Sequence, residues 1–173
     1  DWTRMSSPSG NVEILLATYN NEPYLGQLLD SLARQTMFDF HLIVSDDCSS
    51  DGTVQVIDDY RPIFGERMTV HRQPTPSGSA KANFSWLMTQ SSADHVLFAD
   101  ADDVWDDDKV AVTLTALRDV ERRCGGPTVP AMVFSDARLI DGQGGVTGPS
   151  YWEYKKIRPE IAGTLSQVLV CPP

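Results

Sequence analysis

The sequence predicts an α/β fold: a mostly parallel central sheet flanked by helices. Three observations carry that expectation. Short apolar runs alternate with segments of helical periodicity along the chain. Breaks rich in Gly and Pro separate them. Polar clusters follow the apolar runs at their C-terminal ends, which is where open α/β sheets bind ligands.

Residues 12–17 are apolar except for Glu13 and read as a buried strand. Residues 23–35 place Leu25, Leu28, Leu29, Leu32 and Ala33 at helical spacing. Residues 40–44 form a second short strand. Asp51-Gly52-Thr53 opens a helix that runs to about Tyr60, with Val54, Val56 and Ile57 as its inward candidates, and Pro62 is expected to end it. Residues 67–71 make a third strand, and 74–79 a Pro/Gly/Ser loop. Residues 80–89 follow as a helix with Phe84, Leu87 and Met88 on one side. Residues 96–99 are a further strand. Residues 106–123 are a helix with acids at its start and Arg122 and Arg123 at its end, matching the helix dipole. Gly125-Gly126-Pro127 stops it. Residues 129–135 read as another strand. Asp141-Gly142 and Gly144-Gly145 mark a tight turn, with a hairpin as one form of it.

The polar clusters at strand ends are Thr18-Tyr19-Asn20, Ser45-Asp46-Asp47, Asp100-Ala101-Asp102 and Ser135-Asp136. The third is the densest. Val96-Leu97-Phe98-Ala99 runs into Asp100, Asp102 and Asp103. Carboxylates at the end of a strand must face water, a cation or a ligand. In extended chain Asp100 and Asp102 point to the same side, where a divalent cation would relieve their repulsion. Oxygen-only ligands suit Mg²⁺ or Mn²⁺, which share such sites with substrate phosphates. The competing reading is an acidic cap on the next helix. Four clusters at one sheet edge favour a site.

With 173 residues the chain can bury one substantial core. Its net charge of −10 opposes binding to a nucleic-acid backbone, but leaves room for a single nucleotide bridged by a cation. Cys48, Cys124 and Cys171 form no zinc spacing and no CxxC pair, which suits a reducing compartment. No stretch reaches the ~18 apolar residues of a membrane span. Residues 1–10 lack the apolar segment of a signal peptide and read as a flexible or appended N-terminus.

Three motifs in order resemble family 2 glycosyltransferases. They are Ala17-Thr18-Tyr19-Asn20 with Tyr24-Leu25, Leu28 to Leu32 and Gln35-Thr36; Val44 to Thr53; and the DxD-like Phe98 to Trp105. Together they cover roughly residues 11–145. The resemblance implies the GT-A fold, whose Rossmann-like half binds a sugar nucleotide. Residues 11–145 would then be the nucleotide-sugar-binding domain, and 146–173 the start of an acceptor-side region.

Carried over residue by residue, Thr18, Tyr19 and Asn20 would lie against the nucleotide, and Glu22 would reach the base or ribose. Asp47 would accept a hydrogen bond from the base N–H, or else cap its own turn. Tyr19 would flank the base or pack at the sheet edge. Lys81 would offset diphosphate charge or stay solvated, and Asn83 would face the donor. Asp102 would ligate a Mg or Mn cation. Asp100 would join it, or hold the ribose or a water on the metal. Asp103 is open between supporting that site and starting the helix. Trp105 is open between lid and core, with core packing ahead.

The motif form, together with Tyr151-Trp152-Glu153-Tyr154, is most similar to rhamnosyltransferase-type members that use a dTDP-sugar. Ala101 and Cys48 depart from the family's usual Gln and Gly without removing a proposed ligand, and UDP-sugars stay open. The implied reaction is transfer of a sugar to a hydroxyl of a growing saccharide, free or lipid-linked, with inversion. The implied location is cytoplasmic, at or near the inner face of the membrane. The family's catalytic base is an Asp from a downstream segment, expected beyond Pro173, with Asp136 as the fallback in this chain. On that reading the chain is a donor-binding part, inactive alone. The alternative is a non-catalytic nucleotide-sugar or metal-binding module. A nucleotidyltransferase would want a Gly-rich basic loop after the first strand, and Thr18 to Glu22 offers none.

Overall fold

The computed structural model describes residues 11–126, 128 and 130–157. The chain divides into two compact units, the first ending at Val129 and the second beginning at Pro130.

The first unit alternates strand and helix: β1 (Val12–Thr18), α1 (Glu22–Ala33), β2 (His41–Asp46), α2 (Thr53–Phe64), β3 (Met68–Arg72), α3 (Ala80–Gln90), β4 (His95–Asp100) and α4 (Lys109–Cys124). The sheet order is β3-β2-β1-β4, and every pairing is parallel. Parallel neighbours need crossover connections, which the helices supply. Alternation along β1 separates the two faces. Val12, Ile14 and Leu16 pack with α1, α2 and α4 through Leu25, Leu28, Leu29, Leu32, Ile57, Val110 and Leu114. Leu15 and Ala17 face the other way, toward Leu87, Phe84 and Trp86 of α3. This two-sided burial is why β1 is nearly all apolar.

Several local expectations change. Pro62 lies inside α2, which runs on to Phe64 and stops at Gly65 with φ 57°. A proline near the last turn costs few helical bonds, and the glycine supplies the positive φ that ends the helix. Met88 faces solvent, and Trp86 takes the inward place beside Leu87. α4 begins at Lys109, three residues later than predicted, because Asp106 to Asp108 form a turn before it. Trp105 is a core residue. β4 is an edge strand buried on one face only: Leu97 and Ala99 are inward, while Phe98 is 54% exposed.

The second unit contains the hairpin β5 (Leu139–Ile140) and β6 (Val146–Gly148), then the short helix α5 (Tyr151–Lys155). Asp141 shapes the turn by accepting from the Gln143 and Gly145 N–H groups. The strand predicted over 129–135 is not formed: residues 130–135 are irregular, and Val129 lies outside the described residues. Ser135-Asp136 therefore does not follow a strand. Residues 1–10, Cys171 and the region from 158 onward, for which the sequence also carries expectations, lie outside the described residues.

Candidate donor-binding site

All four strands point the same way, so their C-terminal ends share one edge. The order reverses at β1, with β2 on one side and β4 on the other. Ligand crevices open at such a reversal, where neighbouring loops leave in opposite directions. A cavity of about 410 Å³ opens there. Thr18, Tyr19, Asp47, Asn83, Asp100 and Asp102 line it, joined by Pro76, Gly78 and Ser79 from the loop before α3. Asn20, Glu22 and Lys81 do not line it.

The β1–α1 and β2–α2 loops are stitched together. The Thr18 hydroxyl donates to Asp46 Oδ1 at 3.1 Å. The Asn20 N–H donates to Ser49 Oγ, and Asn20 Oδ1 accepts from the Ser50 N–H at 2.8 Å. The Asn21 N–H donates to Thr53 Oγ1 at 2.7 Å. The Glu22 N–H donates to Asp51, and the Glu22 carboxylate accepts from the Gly52 N–H at 2.8 Å. Asn20 holds φ 51°, a conformation asparagine tolerates better than most residues. The side chains of Asn20 and Glu22 are thus spent on the neighbouring loop and act as braces. Tyr19, at the tip, is 57% exposed and lines the cavity with its ring.

The β2 side of the cavity is set by Asp47 and Asn83, both buried. Asp47 Oδ1 accepts from the Ser77 N–H at 2.6 Å, and Oδ2 from the Ser77 hydroxyl at 2.8 Å. Asn83 Nδ2 donates to the Ser45 carbonyl at 3.0 Å, while Asn83 Oδ1 is buried without a partner. An unpaired buried acceptor beside a polar cavity marks a place for a donor group. Ser79 caps α3 by accepting from the Ala82 N–H. Lys81, two residues on, is exposed.

The acids lie on the β4 side. Ala17 pairs in register with Asp100, which places that carboxylate at the C-terminal end of β4, beside the end of β1. The chain turns immediately after it, with the Asp103 N–H donating to the Asp100 carbonyl at 3.1 Å. Asp100 and Asp102 therefore reach the same cavity through a turn, not along an extended strand. Burial, then the charge of Asp102, raises the Asp100 carboxyl above its usual range. Burial, then Asp100 and Asp102, pushes Asp103 up to about 6 against the pull of Lys109. The cluster is an anionic pocket under mutual repulsion. No three His, Cys, Asp or Glu side chains among the described residues form a metal cage. Two oxygen ligands fit a cation that completes its shell with water or phosphate oxygens, as Mg²⁺ and Mn²⁺ do.

Two residues that pattern reading missed as functional hold this acidic turn in place. The fully buried Gln35 donates to the Asp106 carbonyl at 2.7 Å and accepts from the Val110 N–H at 2.9 Å. The Ser31 hydroxyl oxygen accepts from the Trp105 N–H at 3.0 Å. A polar pair on the buried side of an amphipathic helix was the available signal. In the second unit, Asp136 accepts from the Ser150 hydroxyl and the Trp152 N–H at the start of α5. Desolvation works upward on its carboxyl, but the bonds from Ser150, Trp152 and Ala137 win and hold it below the usual range. A carboxylate so engaged is a weak base.

The family model described as glycosyl transferase family 2 matches residues 13–156. Poly(ribitol-phosphate) beta-N-acetylglucosaminyltransferase TarS of Staphylococcus aureus is 36% identical over 92 residues, covering 52% of this chain and 16% of its own length. The dTDP-rhamnosyl transferase RfbG of Shigella flexneri is 28% identical over 105 residues, 59% of this chain and 36% of its own. The crystal structure of S. aureus TarS 1–349 in complex with UDP-GlcNAc superposes with a TM-score of 0.55 at 26% identity, covering 75% of this chain and 40% of that one. The chain thus spans well under half the length of these relatives. Its parallel sheet flanked by helices is the GT-A glycosyltransferase fold, and the chain belongs to glycosyl transferase family 2.

Proposed function

We propose that this protein transfers a glycosyl group from a dTDP- or UDP-sugar to a hydroxyl of a growing saccharide, free or lipid-linked, with inversion. The observation that carries the reading is the cavity at the sheet reversal, with Asp47 on one wall and Asp100 and Asp102 on the other. The first wall suits a base, since Asp47 can accept an imide N–H and Tyr19 offers a flat face beside it. The second suits a diphosphate with its cation. Asp102, with Asp100, would hold a Mg²⁺ or Mn²⁺ ion. Such an ion, when bound, neutralises the charge that builds on the departing diphosphate. Asn83 Oδ1 has a free lone pair for a donor hydroxyl.

UDP-GlcNAc in the TarS complex and the dTDP-sugar in RfbG's name support nucleotide-sugar donors and leave both bases in play. No helix among the described residues is long and apolar enough to cross a membrane. A cytoplasmic site of action, where sugar nucleotides are made, fits the reading.

Titration calorimetry with UDP and dTDP, with and without Mn²⁺, tests it. Binding is expected to require the ion and to be lost in Asp102→Ala. Equal nucleotide affinity with and without Mn²⁺ would refute the metal role, and no binding of either nucleotide would refute the donor site.

A further inference from the structure

Ser77 bears on Asp47 in a way that the proposed base-binding role does not explain. Asp47 is buried and lines the cavity, whereas Ser77 is exposed and does not line it. Ser77 therefore grips the carboxylate from outside the crevice, with one donor on each oxygen. Its hydroxyl has a second acceptor in reach: the Ser79 carbonyl lies 3.0 Å from Ser77 Oγ, against 2.8 Å for Asp47 Oδ2. A hydroxyl carries one proton and can serve only one of these at a time.

We propose that Ser77 is a positioning residue for base recognition, resting on the reading of Asp47 as the acceptor of the base imide N–H. Its N–H fixes the plane of the carboxylate. Its O–H acts as a two-position rotor. In the free protein it satisfies Asp47 Oδ2. When a base N–H claims that carboxylate, the rotor turns to the Ser79 carbonyl and no buried acceptor is left unpaired in either state. Without the O–H, Asp47 Oδ2 loses its partner in the free protein only, while the complex keeps the base N–H on the carboxylate. Ser79 caps α3, so the rotor's second position lies on a fixed element.

The test is calorimetry of the full chain with UDP and with CDP, Mn²⁺ present throughout. Uracil has an imide N–H and cytosine, at the same ring position, has none. The wild type is expected to prefer UDP. Ser77→Ala leaves Asp47 Oδ2 short of a donor until the base N–H arrives, so it is expected to raise the preference about fivefold while leaving CDP affinity unchanged. Ser77→Thr, which keeps both donors, is expected to hold the wild-type preference. If Ser77→Ala leaves the preference unchanged or lowers it, or weakens UDP and CDP equally, the rotor is refuted and Ser77 only shapes its loop. If Asp47→Asn also keeps the preference, or the wild type shows none, the fault lies with the Asp47 reading itself.

Discussion

Glu22 and Gly52 show how one contact decides what a residue is for. A Cβ built on Gly52 would stand 2.5 Å from the Glu22 carboxylate, which now accepts from the Gly52 N–H. Gly52→Ala is therefore expected to expel Glu22 and cost about 1 kcal/mol by urea denaturation. Glu22→Ala should cost a similar amount, and the double variant little more than either, since both remove one interaction. A second residue-scale expectation concerns acid. The Arg61 guanidinium, with Arg72 beside it, outweighs desolvation and holds the Asp58 carboxyl below its ordinary range. A lowered folded value means the stabilisation is complete above the unfolded value of about 4 and fades as pH falls through the folded one. Asp58→Asn should flatten that acid limb of a stability profile; an unchanged limb would show that solvent screens the pair entirely. At this scale the sequence revealed residue types but not their use. Asp47, Asp100 and Asp102 could be placed at one cavity because they stand at strand ends that share an edge. The use of Asn20 and Glu22 could not be read, because their partners lie across a crossover near positions 50 and 52.

At the scale of elements, α1 braces the site from behind. Gln35, at its end, spans the Asp106 carbonyl and the Val110 N–H, and the neighbouring Thr36 N–H donates to the Asp107 carbonyl at 2.7 Å. Gln35→Leu keeps a similar volume but leaves the Val110 N–H without this acceptor and takes one of two donors from the Asp106 carbonyl, which keeps the Lys109 N–H. It is expected to cost about 2–4 kcal/mol in chemical denaturation and to weaken Mn²⁺-dependent nucleotide binding more than Gly52→Ala does. A loss confined to stability would show that the acidic turn keeps its shape without the clamp. Element type was easy to read for β1, α1 and β2, whose apolar patterns are unambiguous. It failed over 129–135, where apolar residues carry no strand. It also overlooked α5, although Ser150 and Glu153 stand at the spacing of a capping box and the Glu153 N–H does donate to Ser150 Oγ at 3.0 Å. Pattern records which side chains can be buried; it does not record whether a neighbouring strand is there to pair with.

For the molecule as a whole, the proposed two-acid site would need phosphate oxygens, so ion and nucleotide would bind as partners. UDP and Mn²⁺ together, at a hundredfold excess over their Kd, should raise the melting temperature by roughly 5–10 °C, and either alone by much less. A full shift from Mn²⁺ alone would place the ion elsewhere. The architecture was legible because every crossover in the first unit is a helix of ordinary length between apolar strands. The cavity was legible only as an edge, since its depth depends on the loop at Pro76, Gly78 and Ser79, which no periodicity describes.

The central position of β1 has one more consequence. Its partner on one side, β2, is the next strand in the chain, but its partner on the other, β4, arrives only after two further crossovers. Closing so long a loop is slow, and non-local parallel pairing is late for that reason. Until β4 docks, Asp100 has no place beside Ala17 and the crevice lacks its acidic side. On the proposed function, nucleotide capture would then be a readout of finished folding: a chain arrested one strand short would lack the acidic side of the site.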